Sequence, residues 1–340
     1  MDLEQKAEDF MNKHKMLGAG DKILVGFSGG SDSSALLHFL VEKFGKKNIY
    51  AAHLNHSLRG SDSDNDEKFA SEICGAYGVK IFTEQKNIRY IAKKTKKSEE
   101  EAGREARYEF FGRICAKLGG SIKTATAHTA PDNTESVMLN LARGTGAAGL
   151  CGIAPVRGSI IRPFLSCEKN DIISYCKKNN INFTEDKSNG DTRYARNFMR
   201  LSIASKLRER YENLDGNILK MSEIMRDTVD FIDLQAENIL NEHPGGIQLN
   251  LFCGLHTAVR RAVIIKMCEK AGSRLDFKLI SELDAALRNG GLVRQDLPGK
   301  TAAEVSGGIF KIYKEKEDYR ILRKERKNGI KEEIKKKKTN

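Results

Sequence analysis

The sequence predicts an α/β fold: a doubly wound, mainly parallel sheet followed by a smaller, mostly helical domain. Three observations carry this. Up to about residue 190, short apolar runs alternate with helix-periodic segments, the pattern of βαβ units with right-handed crossovers. A glycine-rich turn joins the first apolar run to the helical pattern after it. Beyond that point the alternation stops and long helical periodicity takes over.

A first helix is expected over residues 2–16. Lys22–Phe27 reads as a short buried strand, set off by Gly20-Asp21 and the glycine-rich turn. Ser34–Phe44 follows with Leu36, Leu37, Leu40 and Val41 on one helical face. Asn48–Leu54 is the next strand, Asp62–Gly75 an amphipathic helix with Phe69, Ile73 and Cys74 inward, and Val79–Thr83 a third strand. Ser98–Leu118 is a long helix, opened by a capping box of Ser98 and Glu101. Ser121–Ala127 is a fourth strand, Asn133–Ala142 a helix, Ile160–Phe164 a fifth strand and Lys169–Asn179 another helix. Residues 197–242 and 256–289 read as helices separated by His243-Pro244-Gly245-Gly246, and Leu292–Tyr313 as a β-like end. The expected domains are 1–210, 211–295, and a short β-like end with a basic tail over 296–340.

The 340 residues are 39% hydrophobic, with no apolar run near the length that spans a bilayer. The acidic N-terminal stretch is unlike a signal peptide. Seven cysteines at irregular spacing, without a CxxC pair, argue against a disulfide framework or zinc knuckle and for a reducing cytoplasm. The net charge of +12 favours polyanionic partners. The last thirty residues carry thirteen Lys or Arg against six acids; they read equally as a solubilising tail or a nucleic-acid contact.

The strongest local signal is Ser28-Gly29-Gly30-Ser31-Asp32-Ser33, between a buried strand and a helix start. Such a position presents unpaired N–H groups and the positive end of a dipole. Gly29 and Gly30 let the backbone approach an anion, and Ser28, Ser31 and Ser33 add hydroxyl donors. Asp32 would repel a bare phosphate, which is sensible if Mg2+ bridges the two. The structural alternative is a capped Gly-rich turn without ligand. The hexapeptide resembles the PP-loop of the N-type ATP pyrophosphatases. That resemblance implies a Rossmann-like PP-loop ATPase domain that binds the pyrophosphate of ATP, splits ATP to AMP and pyrophosphate, and transfers AMP to an oxygen.

Further segments narrow the choice. His53-Leu54-Asn55-His56 and the residues to Gly60 follow the second strand, where ligands bind in open α/β sheets; the two histidines also suit plain packing. Arg104 and Arg107 share one helical face, for phosphate or tRNA or simply for solvent. His128-Thr129-Ala130-Pro131-Asp132-Asn133-Thr134-Glu135 follows the fourth strand. Asp132 and Glu135 there read either as a helix-capping pair or as carboxylates for a lysine ammonium or a metal. Arg162-Pro163-Phe164-Leu165, Glu185–Asn189 and Arg196-Asn197-Phe198-Met199-Arg200 complete the series.

In this order the blocks resemble the tRNA(Ile)-lysidine synthase family over residues 20–200, and more weakly around Leu297-Pro298-Gly299. That family usually carries His-His and Asp-Asp where this chain has His128-Thr129 and Pro131-Asp132. The resemblance implies a ligase joining L-lysine to the wobble cytidine of tRNA(Ile) with a CAU anticodon, through an adenylated base. It places ATP on Ser28–Ser33 with His53, Asn55, His56, Arg104 and Arg107, and Mg2+ on Asp32 and Asp132. Asp132 and Glu135 would bind the lysine ammonium, one of them serving as general base. The implied partners are tRNA, ATP and lysine, with no membrane; a homodimer is left open. The rival readings are a thiolase-type PP-loop enzyme, against which the lack of CxxC argues, and a non-catalytic RNA-binding relative, against which the intact loop argues.

Overall fold

A computed structural model describes residues 2–57, 61–184 and 195–315. The expected Glu185–Asn189 block and the Lys-rich tail lie outside these. The described chain forms two compact units that divide between Arg226 and Asp227.

The first unit is built on a six-stranded sheet in the order β3-β2-β1-β4-β6-β5. Its strands are β1 (Lys22–Gly26), β2 (Ile49–Asn55), β3 (Lys80–Gln85), β4 (Ile122–Ala125), β5 (Val156–Arg157) and β6 (Ile160–Ile161). All neighbours run parallel except β5 on β6. Burial on both faces follows from strand alternation. Ile23 and Val25 of β1 join one core with Leu36, Leu37 and Leu40 of helix α2 (Ser31–Phe44), and with α1 (Leu3–Lys13). Leu24 points the other way, towards Phe110, Phe111 and Ile114. Each of these buried side chains contributes roughly 1.5–3 kcal/mol.

Helices α3 (Ser61–Tyr77), α4 (Ile88–Thr95) and α5 (Glu99–Leu118) carry the crossovers. Ser98 caps α5 by accepting from Glu101 N at 3.2 Å, as the sequence signals. Helix α4 is not among the expected elements; its strong amphipathic stripe is only eight residues long and capped by Asn87. The expected fifth strand shortens to β6, since the chain turns at Arg162. After β4 come α6 (Ala130–Ala142), α7 (Ala147–Leu150) and α8 (Lys169–Lys178). The chain then enters α9 (Ala195–Phe198), a π-helical stretch over Met199–Ala204, and α10 (Ser205–Arg210). Helix α11 (Leu214–Glu242) contains the division between the units.

The second unit has its own core, including Phe252, Val263, Leu283 and Phe310. Helices α12 (Leu249–Gly254), α13 (Thr257–Ala271) and α14 (Phe277–Arg288) accompany an antiparallel sheet in the order β7-β10-β9-β8. These strands are β7 (Ile247–Gln248), β8 (Arg294–Leu297), β9 (Thr301–Ser306) and β10 (Ile309–Lys314). No helix of the described residues is long and apolar enough to cross a membrane.

Candidate active site

Strand order reverses on either side of β1 and β4, so the crevice beyond their C-terminal ends is the binding position such a sheet provides. Both signal segments leave from there. The ladder extends one residue past β1, where Phe27 N donates to Ala52 O at 2.9 Å, and the chain then turns through Ser28–Ser33 into α2. Gly29 sits at φ +86°, and a Cβ there would lie 3.3 Å from both Phe69 Cδ1 and Thr184 Oγ1. Only glycine fits that turn without strain. Ser33 is buried: its hydroxyl donates to Gly30 O at 3.0 Å and accepts from Ser28 N at 3.2 Å. Its hydroxyl is engaged within the loop and holds the loop's shape. Ser28 and Ser31 remain accessible.

Asp32 stands in the first turn of α2 and accepts from Lys169 Nζ at 2.5 Å; the same ammonium donates to Ser31 Oγ at 2.8 Å. Burial raises the Asp32 pKa and the nearby Asp132 charge adds to it, while Lys169 and Arg200 pull the other way. Two carboxylates near enough to repel each other suit a cation. Among the described residues no group of three or more His, Cys, Asp or Glu side chains gathers as a metal cage. An Mg2+ held by these two carboxylates would take most of its ligands from phosphate and water, the usual habit of that ion.

Helix α6 begins earlier than the sequence suggests, and this reassigns Asp132. Thr129 is the cap residue: its N–H donates to Asp132 Oδ2 at 2.8 Å and its hydroxyl to the same oxygen at 2.9 Å. Pro131 falls in the first turn, where its missing N–H is an orphan anyway. The Thr-Pro-Asp sequence is thus a well-formed helix start. Glu135 is not part of that box. It is fully buried (0% exposed) and accepts from Arg196 Nε at 2.9 Å, Arg200 Nε at 2.6 Å and Arg200 Nη2 at 3.1 Å. Expected to hold an ammonium, it holds two guanidinium groups. Arg196 Nη2 also donates to Asp132 Oδ1 at 3.1 Å. Burial raises the Asp132 pKa, but Arg196, His128 and the Thr129 hydrogen bonds outweigh it and leave the carboxyl below its ordinary range. His128 hydrogen-bonds Thr126 Oγ1 at 3.0 Å, and burial drives its pKa down to about 3.

Positive charge surrounds this pair. Arg104, Arg162 and Arg196 all act on His128, and Arg104 and Arg196 on Arg107. Desolvation in the crevice, with those charges, disfavours the cationic form of Arg107 although the residue is exposed, and burial does the same to Arg162. Arg162 Nε is buried with no hydrogen-bond partner among the described residues. Cations crowded in a cleft are relieved by an anion, and planar donors suit phosphate. Arg104 itself is exposed, its guanidinium 5.5 Å over the Tyr108 ring.

The residues at the end of β2 serve otherwise than expected. His53 is buried, hydrogen-bonds the Phe27 carbonyl at 3.0 Å through Nδ1, and burial lowers its pKa. Asn55 is buried and spends its amide on Asp64 (3.1 Å) and Glu67 (3.0 Å) while accepting from Ser57 N at 2.9 Å. Both fasten the crevice wall. His56 is half-buried against Gly103, where a Cβ would come within 2.9 Å of its ring. Lys169, Arg162, Arg196 and Arg200 line the crevice without a role assigned from sequence, because partners such as Ser31 stand up to 138 residues away.

Comparison with known proteins agrees with this architecture. A profile described as the PP-loop domain matches residues 1–207. A tRNA(Ile)-lysidine synthase of Caldanaerobacter subterraneus subsp. tengcongensis is 35% identical over 266 residues, 76% of this chain and 57% of that protein. Another, of Chlorobaculum tepidum, is 35% identical over 245 residues, 71% of this chain and 74% of that protein. The chain therefore spans little more than half the length of the first relative. Among solved structures, a U34-tRNA thiolase of Methanococcus maripaludis shares the fold at a TM-score of 0.53 and 16% identity, covering 66% of this chain and 78% of that one.

Proposed function

The chain belongs to the tRNA(Ile)-lysidine synthase family of PP-loop proteins, and on that premise we propose that it ligates L-lysine to carbon 2 of the wobble cytidine of tRNA(Ile) with a CAU anticodon. The observation that supports this best is the convergence, at one sheet crevice, of the Ser28–Ser33 loop, the Asp32 and Asp132 carboxylates and the Arg104, Arg107, Arg162, Arg196 and Arg200 guanidiniums. Anion donors, a cation site and planar phosphate ligands are what adenylation of a base requires.

In this reading the loop N–H groups with Ser28 and Ser31 hold the pyrophosphate end of ATP. Asp32 and Asp132 would hold Mg2+, which when bound offsets charge on the phosphates. The cytidine O2 attacks the α-phosphorus and pyrophosphate leaves. The ε-ammonium of lysine first loses a proton to solvent, the neutral amine adds to C2, AMP leaves with its oxygen, and the newly attached nitrogen gives its proton to solvent water. Free lysine is protonated near neutrality, with a pKa of about 10.4. Asp132, held below the ordinary range, is suited to orient that ammonium and is a poor base. The arginines stabilise the charge that develops on the phosphates, acting as preorganised donors. Glu135 acts through Arg196 and Arg200 as a positioning residue. Residues 1–210 form the catalytic domain in this proposal, 211–295 the tRNA-binding domain, and 296–340 an end that adds phosphate contacts.

The test mixes the full chain with ATP, Mg2+, radiolabelled L-lysine and unmodified tRNA(Ile) carrying CAU. Lysine label in the RNA, with equal AMP and pyrophosphate released, is the expected result, and a methionine tRNA with the same anticodon stays unlabelled. AMP released without lysine incorporated would mean another nucleophile.

A further inference from the structure

Lys169 opens α8, 137 residues after Asp32 and outside the phosphate loop, yet its ammonium bridges two loop side chains. The backbone under it is fixed. Glu168 N donates to Asp171 Oδ2 at 3.0 Å in a capping box, and Cys176, two turns on, directs its thiol to the Ser31 carbonyl at 3.8 Å. The side chain itself is half exposed (50%) and so has room to swing. No other Lys or Arg among the described residues hydrogen-bonds a side chain of Ser28–Ser33; Arg196 and Arg200 are held by Asp132 and Glu135, and the Arg104 guanidinium lies over the Tyr108 ring.

The contact to Asp32 and the contact to Ser31 call for different things from a ligand. If Asp32 takes a metal, the ammonium and the metal compete for one carboxylate. If Ser31 takes a phosphate oxygen, the ammonium stands within hydrogen-bond reach of that oxygen. We propose that Lys169 is a phosphate-positioning residue that neutralises Asp32 whenever no metal is bound there and passes to the pyrophosphate oxygens of ATP when a metal takes that carboxylate. This rests on the ATP-binding reading above. Lysine suits such a transfer, being a compact charge on a flexible stem with three donors.

Direct ATP binding by calorimetry, in Mg2+ and separately in EDTA, tests it without any turnover. Lys169→Met is expected to weaken ATP binding about tenfold in Mg2+, where the ammonium is on the phosphates, while Lys169→Arg restores most of it. These sizes follow from loss of one charge-assisted hydrogen bond. The diagnostic arm is Asp32→Asn. With its partner neutral, Lys169 is released to the phosphates, so ATP binding in EDTA becomes tighter than in the unaltered protein. Adding Lys169→Met to Asp32→Asn removes that gain. A merely structural salt bridge predicts weaker binding from either single change and no gain in EDTA. Unaltered ATP binding in Lys169→Met overturns this inference alone. An unaltered protein that binds no ATP under either condition overturns the ATP-site reading and this inference together.

Discussion

Arg200 and Glu135, 65 residues apart, form a parallel two-bond fork in which Nε donates to Oε1 at 2.6 Å and Nη2 to Oε2 at 3.1 Å. Arg196 completes the carboxylate from the other side. Removing the carboxylate leaves two guanidinium groups facing each other over a fully buried position. Glu135→Ala should lower the unfolding free energy by about 3 kcal/mol. Arg200→Ala, which leaves Glu135 one partner, should cost about half as much. Urea unfolding of the full chain reads both, and a loss under about 1 kcal/mol in Glu135→Ala would mean the arginines are satisfied elsewhere.

Gly103 lies within α5, where replacing glycine by alanine ordinarily stabilises a helix by about 1 kcal/mol. Here the new methyl would come within 2.9 Å of the His56 ring. Overpacking of that kind costs roughly 1–3 kcal/mol. Gly103→Ala is therefore expected to destabilise the protein and displace His56 from the crevice wall. A rise in melting temperature would show that the ring moves aside freely.

Asp32 separates function from stability. Burial already disfavours its charge despite Lys169, so Asp32→Asn should leave the melting temperature unchanged or slightly higher. ATP cleavage should nonetheless fall by at least about 100-fold, since a charge-bearing group at the phosphates is lost. AMP formation followed beside thermal unfolding checks the pair; cleavage near the unaltered rate would remove Asp32 from the machinery.

His53 confers a pH dependence of defined sign. Burial depresses its folded-state pKa, so as pH falls through about 6.5 the unfolded chain binds a proton that the folded chain does not. Its contribution is fully present above about pH 7.5 and declines as pH falls below about 6.5. His53→Gln should flatten that part of the curve. Identical slopes for the two proteins between pH 7.5 and 5.5 would clear His53 of the effect.

Much of this was legible along the chain because it is local. Strand alternation marked β1 to β4, Ser98 with Glu101 marked the start of α5, and the strand–glycine–helix junction marked Ser28–Ser33. Short elements were not: α4 is too brief for its periodicity to stand out, and β5 is only two residues long. Asp132, read as the cap, is the third residue of the helix capped by Thr129, three positions earlier, which only the hydrogen bonds reveal.

The sequence by itself determined the doubly wound sheet, the place of the phosphate loop on it and the helical second unit, since each depends on residues a few positions apart. The tertiary structure decided what the charged and polar side chains do. It turned Ser33 inward, closed His53 and Asn55 into the crevice wall, gave Glu135 to Arg196 and Arg200, and set Lys169 on Asp32. A side chain's role depends on which partner it meets and how far it is buried, and those partners come from distant parts of the chain brought together only by folding.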